Sequence, residues 1–391
     1  MSRRKKIVTV MGTRPEAIKM MPVVRELNHR RDVFDHVLVA TAQHRQMLDQ
    51  VLSLFGVEPD VDLGLMQHDQ SLGGFAARAL ASLFDLFGSI KPDAVLIQGD
   101  TTTVTIAALA AFYQGIRVGH VEAGPRSFDT KNPFPEEMNR RLAGCMSEMH
   151  FAPTERARLN LLREGVSDDD VFVTGNTIVD ALRSIPLGCG FEDQRLAGID
   201  FDRKRVLLVT AHRRENHGMP LRSICWALRM LAEDFDDVEI VYPVHLNPNV
   251  SSVVREELGR VNGIHLVDPV SYRDLLSLMS RCYLILTDSG GIQEEAPSFN
   301  KPVLVLRDTT ERPEVIEVGA GEIVGTEAEN IVQVATKLLT DSGSYERMSG
   351  AENPFGDGHA AERIVDVLEQ RLSGLFQPYH SEAALMSSHS A

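Results

Sequence analysis

Residues 283–306 read YLILTDSGGIQEEAPSFNKPVLVL, and the fold turns on this stretch. An apolar run at 283–286 breaks at Thr287-Asp288-Ser289-Gly290-Gly291, a helix starts at Ile292, and a second apolar run fills 302–306. Short apolar runs on either side of a turn and a helix predict buried strands of a βαβ unit. Two glycines between strand and helix let the backbone approach a ligand closely, because no Cβ stands in the way. Ser289 and the amides of Gly290 and Gly291 then sit at a helix N-terminus, where unpaired N–H groups and the macrodipole attract phosphate. Glu295, about one turn into the helix, is placed to accept hydrogen bonds from ribose hydroxyls. An ordinary Ser-Gly-Gly turn would use the same residues, and spacing alone leaves both readings open.

The alternation extends through the rest of the chain. Strands are expected at 7–10, 36–40, 94–97, 117–121, 149–152 and 171–174, interleaved with helices at 45–55, 72–90, 103–113, 136–146, 154–163 and 178–183. A second series has strands at 205–210, 238–242 and 264–267 and helices at 221–233, 250–258 and 272–280. Helices at 328–339 and 358–375 close it. Alternating strands and helices predict an α/β fold with doubly wound parallel sheets. The expected organisation is a Rossmann-like domain over residues 1–183 and a linker over 184–204, where Pro, Gly and charge interrupt the pattern. A second Rossmann-like domain, expected to bind a nucleotide, follows over 205–378, and a polar tail over 379–391 is expected to be disordered. Two such domains facing a central cleft would bind ligands at the carboxyl ends of their strands.

A chain of 391 residues is long for one core and suggests two domains. Its 43% hydrophobic and 24% charged content is that of a soluble globular protein. A net charge of −15 argues against nucleic acid or a membrane surface as partner. An anionic ligand would need a local cluster of Arg and Lys. The cysteines, Cys145, Cys189, Cys225 and Cys282, are scattered, with no metal-ligand spacing and no disulfide frame, as befits a reducing cytoplasm. The apolar segment after Arg3-Arg4-Lys5-Lys6 ends at Met11, too short for a secretory leader and suited to a first strand. No run approaches a membrane span in length, so a cytoplasmic location is expected.

Charged residues at strand ends carry the functional reading. The first strand leads to Arg14 and Lys19, strand 94–97 to Asp100, and strand 117–121 to Glu122. Glu136 opens a helix with Arg140 four residues on, along the same face. In the second half, His212 and Arg213 follow one strand and His245 another. Singly, each has a plainer explanation. Asp100 could cap a helix, Glu136 could answer a helix dipole with Arg140 as its partner, and the histidines could be satisfied polar groups at sheet edges. Together they suggest a nucleotide diphosphate held by Arg14, Lys19 and the Ser289 helix start, beside carboxylates that move protons. Crowded carboxylates repel, so one is expected to have a raised pKa and act as an acid. The sequence has no HExxH, no Mg²⁺-binding aspartate cluster, no Walker A lysine and no GxSxG elbow.

Ten motifs, in order, carry a resemblance. They are GTRPEAIKM from Gly12, TAQHRQMLD from Thr41, QGDTTT from Gln98, HVEAG from His120, PFPEEMNR from Pro133, TGNTIVDAL from Thr174, TAHRREN from Thr210, YPVHLNP from Tyr242, TDSGGIQEEAP from Thr287 and NPFGDG from Asn353. The chain resembles the non-hydrolysing UDP-N-acetylglucosamine 2-epimerases over residues 7–375. The resemblance implies two glycosyltransferase-B-like domains, a homodimer, no cofactor and no metal. It also implies interconversion of UDP-GlcNAc and UDP-ManNAc by elimination of UDP to a 2-acetamidoglucal and its re-addition. Asp100, Glu122 and Glu136 fall at the family's acid–base positions, and His212 where a histidine approaches the leaving UDP. Arg14, Lys19, Arg140, Ser289, Gly290, Gly291, Glu295 and Arg312 fall at substrate contacts, and Tyr272 where the family often has Phe near uracil. An activating UDP-GlcNAc site of bacterial relatives would draw on Gln43, Gln46, Gln70, Arg213 and His245. The Arg expected before Gln70 is Asp69, which reverses the sign of its contact with phosphate, and Pro125 replaces a usual Leu in the loop bordering the sugar. Rival readings are an epimerase of another UDP-HexNAc, a hydrolysing 2-epimerase, a glycosyltransferase of the same fold, and a non-catalytic sensor.

Overall fold

The computed structural model describes residues 3–41, 45–67, 70–131, 133–188 and 190–373. The chain divides into two compact units, Met1–Ala181 with Gly356–Ala391, and Leu182–Phe355.

The first unit is built on seven strands: β1 (Lys5–Met11), β2 (Phe34–Ala40), β3 (Val61–Asp62), β4 (Ala94–Gln98), β5 (Arg117–Val121), β6 (Met149–Ala152) and β7 (Val171–Val173). They pair in the order β3-β2-β1-β4-β5-β6-β7, every neighbour parallel. Val95, Leu96 and Ile97 are consecutive and all buried, the pattern of a strand covered on both faces. The order reverses between β1 and β4, which makes their carboxyl ends a switch point where ligands bind. At that point a Cβ on Gly12 would lie 2.4 Å from the hydroxyls of both Thr41 and Thr103. Only glycine lets β1 turn into helix Arg14–His29 there.

The second unit has six strands: β8 (Arg205–Thr210), β9 (Val238–Pro243), β10 (Ile264–Val267), β11 (Leu284–Thr287), β12 (Val303–Val305) and β13 (Gly321–Ile323). Their order is β10-β9-β8-β11-β12-β13, again all parallel. Here the switch point lies between β8 and β11, strands that end at Thr210 and Thr287. Leu207, Val209, Leu284, Leu286 and Leu304 fill the core behind it.

The expected strands and most expected helices are present, and two boundaries are corrected. The helix placed at the end of the second domain, Ala360–Leu372, belongs to the first unit. Its buried stripe is Ala360, Ala361, Ile364, Val365, Leu368 and Leu372. Arg30 reaches Asp366 at 2.6 Å, and Ala361 N–H donates to Asp180 at 2.8 Å. Periodicity shows that such a helix has an apolar face but not which sheet it covers. The segment read as a linker is docked on the second unit. The amides of Glu192 and Asp193 donate to the Asp274 carboxylate at 2.9 Å each, and Arg281 lies 4.4 Å from the Phe201 ring centroid. The tail at 379–391 lies outside the described residues. Among the described residues, no helix is long and apolar enough to cross a membrane.

Candidate active site

In the first unit, Asp100 and Glu122 sit immediately past β4 and β5, adjacent strands. Asp100 is not a helix cap, because Thr101 takes that role with its hydroxyl under Val104 N–H. The Asp100 carboxylate instead accepts from Arg140 Nε at 2.8 Å, and Arg140 Nη2 stands 2.7 Å from the same oxygen, Oδ2, a charge-assisted contact that anchors one end of the carboxylate. Glu122 has a left-handed backbone (φ +62°), an unfavourable conformation for a residue with a Cβ. Its Oε2 accepts from Lys19 Nζ and Gln98 Nε2, both at 2.6 Å. Lys19, expected at phosphate, is thus the cation that neutralises Glu122. Arg14 makes no ion pair among the described residues and remains the turn's open cation.

Glu136 opens helix Glu136–Met146, and its buried Oε2 has no hydrogen-bond partner. Arg140 does not pair with it, as the plainer explanation of Glu136 would require. It turns to Asp100 and to Glu137, whose side chain is fully buried. Glu137 also accepts from the amides of Ser127 and Phe128 and from Arg141. The unpredicted Glu137 therefore ties the loop after β5 to the arginine that holds Asp100. That loop begins at Gly124 (φ +97°), where a Cβ would meet Ala157 O at 2.2 Å.

Glu16, in the first turn of helix Arg14–His29, is fully buried, and loss of hydration raises its pKa to about 7. Thr101 Oγ1 and the Gly12 and Thr13 amides donate to it and oppose that rise. Glu16 thereby fastens the Arg14 turn to the residue after Asp100. His120 pins the same loop from the other side. Burial and neighbours keep its ring neutral, at about 3, and Nε2–H donates to Gly99 O at 2.7 Å.

In the second unit, His212 follows β8, a central strand rather than an edge. Its ring stacks on His245 at 5.3 Å and 15°. Burial pushes its pKa below the ordinary imidazole range, and Asp288 opposes this. Asp288, at the end of β11, was passed over in the sequence because an Asp in a turn is unremarkable there. It is fully buried, and its Oδ2 accepts from the amides of His212 and Arg213 at 2.8 Å and from Asn216 Nδ2 at 3.0 Å. Next along the chain, Ser289 flanks helix Gly290–Glu295 without using its side chain as a cap. The first amides of that helix lack intrahelical acceptors. Tyr272 Oη donates to Glu295 Oε1 at 2.8 Å, joining the two residues expected around uridine. Arg312 is paired with Glu294.

Of the residues expected at an activating site, Gln43, Asp69 and the Gln46 side chain lie outside the described part. Gln70 Oε1 accepts from Arg78 at 2.8 Å and from the Gln67 amide at 3.2 Å. His245 is spoken for by the His212 stack and by Asn247 N–H at 3.1 Å. Arg213 contributes a backbone amide to Asp288. No group of His, Cys, Asp and Glu among the described residues could hold a metal ion.

Two parallel α/β sheets with cations, acids and a helix start at their strand ends define a glycosyltransferase-B-like protein of the kind that handles nucleotide sugars. Anabaena HepE, solved with UDP-glucose, shares this fold at 14% identity and a TM-score of 0.60, covering 93% of this chain and 99% of that one. The UDP-N-acetylglucosamine 2-epimerase family model matches residues 25–369. The UDP-N-acetylglucosamine 2-epimerase of Bacillus subtilis is 50% identical over 366 residues, 94% of this chain and 95% of that protein. The UDP-GlcNAc 2-epimerase of Neisseria meningitidis, solved bound to UDP-GlcNAc, is 48% identical with a TM-score of 0.85, covering 93% and 99% of the two chains. The chain belongs to the UDP-N-acetylglucosamine 2-epimerase family.

Proposed function

We propose that the protein interconverts UDP-GlcNAc and UDP-ManNAc by inverting C2 of the sugar. The C2 proton is alpha to no carbonyl, so simple deprotonation is unfavourable. It becomes feasible when the C1–O bond breaks as the proton leaves, with UDP carrying away the electron pair and a 2-acetamidoglucal left behind. Re-addition of UDP at C1, with a proton delivered to the opposite face of C2, gives the epimer. Two faces call for two proton-handling groups.

The observation that carries this reading is the pair Asp100 and Glu122 on adjacent strand ends, each fixed by a cation. Glu136 supplies a third carboxyl group with an uncommitted oxygen. Arg14, the Gly290–Gly291 amides and His212 suit the charge that grows on the diphosphate, since donors fixed beforehand need no reorganisation during reaction. Tyr272 with Glu295 suits the uridine. The scattered cysteines support a cytoplasmic setting. A homodimer fits the exposed Phe84, Phe112, Tyr113, Met138 and Leu142 on three adjoining helices of the first unit. Light scattering at twice the chain mass supports the dimer, and a monomer at micromolar concentration rejects it.

Product analysis tests the activity. Purified protein incubated with UDP-GlcNAc should accumulate UDP-ManNAc to an equilibrium reached from either epimer. Free ManNAc with UDP would make it a hydrolase, sugar transfer only when an acceptor is added would make it a transferase, and unchanged UDP-GlcNAc would leave a sensor.

A further inference from the structure

The two oxygens of Asp288 are treated differently. Oδ2 accepts three N–H donors, whereas Oδ1, also buried, accepts none. His212 Nδ1 stands 3.7 Å from Oδ1, beyond hydrogen-bond reach but within charge attraction. A buried acceptor without a donor is unfavourable unless something satisfies it. One face of the His212 ring stacks on His245, and the His212 amide is anchored to the other oxygen of the same carboxylate. The groups acting on the ring are Asp288, His245, Arg213 and His217, of which only Asp288 is negative.

We propose that Asp288 is a positioning residue for His212: it selects the Nδ1–H tautomer, turns Nε2 outward toward the leaving diphosphate, and balances the imidazolium. This rests on the reading that His212 acts on UDP. As the C1–O bond breaks, its electron pair stays on the diphosphate oxygen and the Nε2 proton moves onto that oxygen. The neutral Nδ1–H ring remains beside Asp288. Re-addition runs the same transfer backwards, so no co-reactant is consumed.

The test is Asp288→Asn. An amide oxygen can still accept from the two backbone N–H groups and Asn216, while the new NH₂ faces His212 Nδ1 and favours the opposite tautomer. Turnover should fall about 10²–10⁴-fold, with UDP affinity kept within about threefold. The pH at which the His212 ring loses its proton, followed by ¹⁵N NMR, should move down. His212→Ala, run in parallel, separates the two ideas. If it turns over normally, the role of His212 itself fails. If it is slow while Asp288→Asn keeps parent turnover and pH profile, the positioning role is overturned. Should the Asn variant not fold, ¹⁵N spectra of the parent protein decide: a neutral His212 protonated on Nδ1 supports the proposal, and one protonated on Nε2 overturns it.

Discussion

In a Glu122→Gln variant, the carboxylate that meets Lys19 Nζ and Gln98 Nε2 at 2.6 Å becomes an amide of the same shape. The Lys19 and Glu122 side chains are each 11% exposed, so water can do little for an ammonium that loses its counter-charge. Removing one partner of a buried pair costs about 3–5 kcal/mol. Partial exposure, and an amide oxygen that still accepts from Lys19, reduce this to about 2–3 kcal/mol. At about 2–4 °C per kcal/mol for a unit of this size, its Tm should fall by about 4–12 °C. Turnover should drop about 10²–10⁴-fold, because an amide cannot take a proton from C2. Adding Lys19→Met removes the other charge of the pair, and the double variant should recover at least about 1 kcal/mol relative to additivity. It should not recover turnover. Calorimetry and NMR of the products read the two effects separately. Turnover of Glu122→Gln within about threefold of the parent would refute the acid–base role. Strict additivity of the two substitutions would refute the buried pair.

Glu16 predicts a pH effect. Its folded pKa of about 7 lies above the ordinary 4.5, so the folded state binds its proton more tightly. That stability is fully present below about 4.5 and lost as pH rises through about 7. Denaturant titrations should therefore show Glu16→Gln gaining on the parent across this window, by on the order of 3 kcal/mol; a constant difference would contradict it. Gly124→Ala should destabilise by about 3 kcal/mol, since it combines a positive φ with a 2.2 Å approach to Ala157 O. An unchanged melting curve would mean that helix Glu155–Arg163 yields easily. Tyr272→Phe removes the hydrogen bond to Glu295 and should weaken UDP binding about 2–10-fold by titration calorimetry. Unaltered affinity would place that pair away from uridine.

Much of the fold was legible because both sheets are parallel and buried. Runs such as Ala94–Gln98 and Arg205–Thr210 are too apolar for anything else, and their ends pointed to Asp100, Glu122 and His212. Elements too short to show a period, among them β3, β13 and helix Pro313–Glu317, left no signal. Pairings between distant residues were also hidden. Lys19 and Glu122 are 103 positions apart, and nothing local favours that partner over a phosphate. Glu16, Glu137 and Asp288 were missed for a related reason. A carboxylate near a turn or in a first helical turn reads as exposed until the chain folds over it. Glu137 stands beside Glu136, and only the fold shows which neighbour is buried and which keeps an uncommitted oxygen.

Solvent exchange at C2 tests the central claim most directly. With UDP-GlcNAc in D₂O, proton transfer through elimination and re-addition puts one deuterium at C2 of the UDP-ManNAc formed, and then of the recovered UDP-GlcNAc. UDP-ManNAc formed with its original C2 hydrogen would contradict the account.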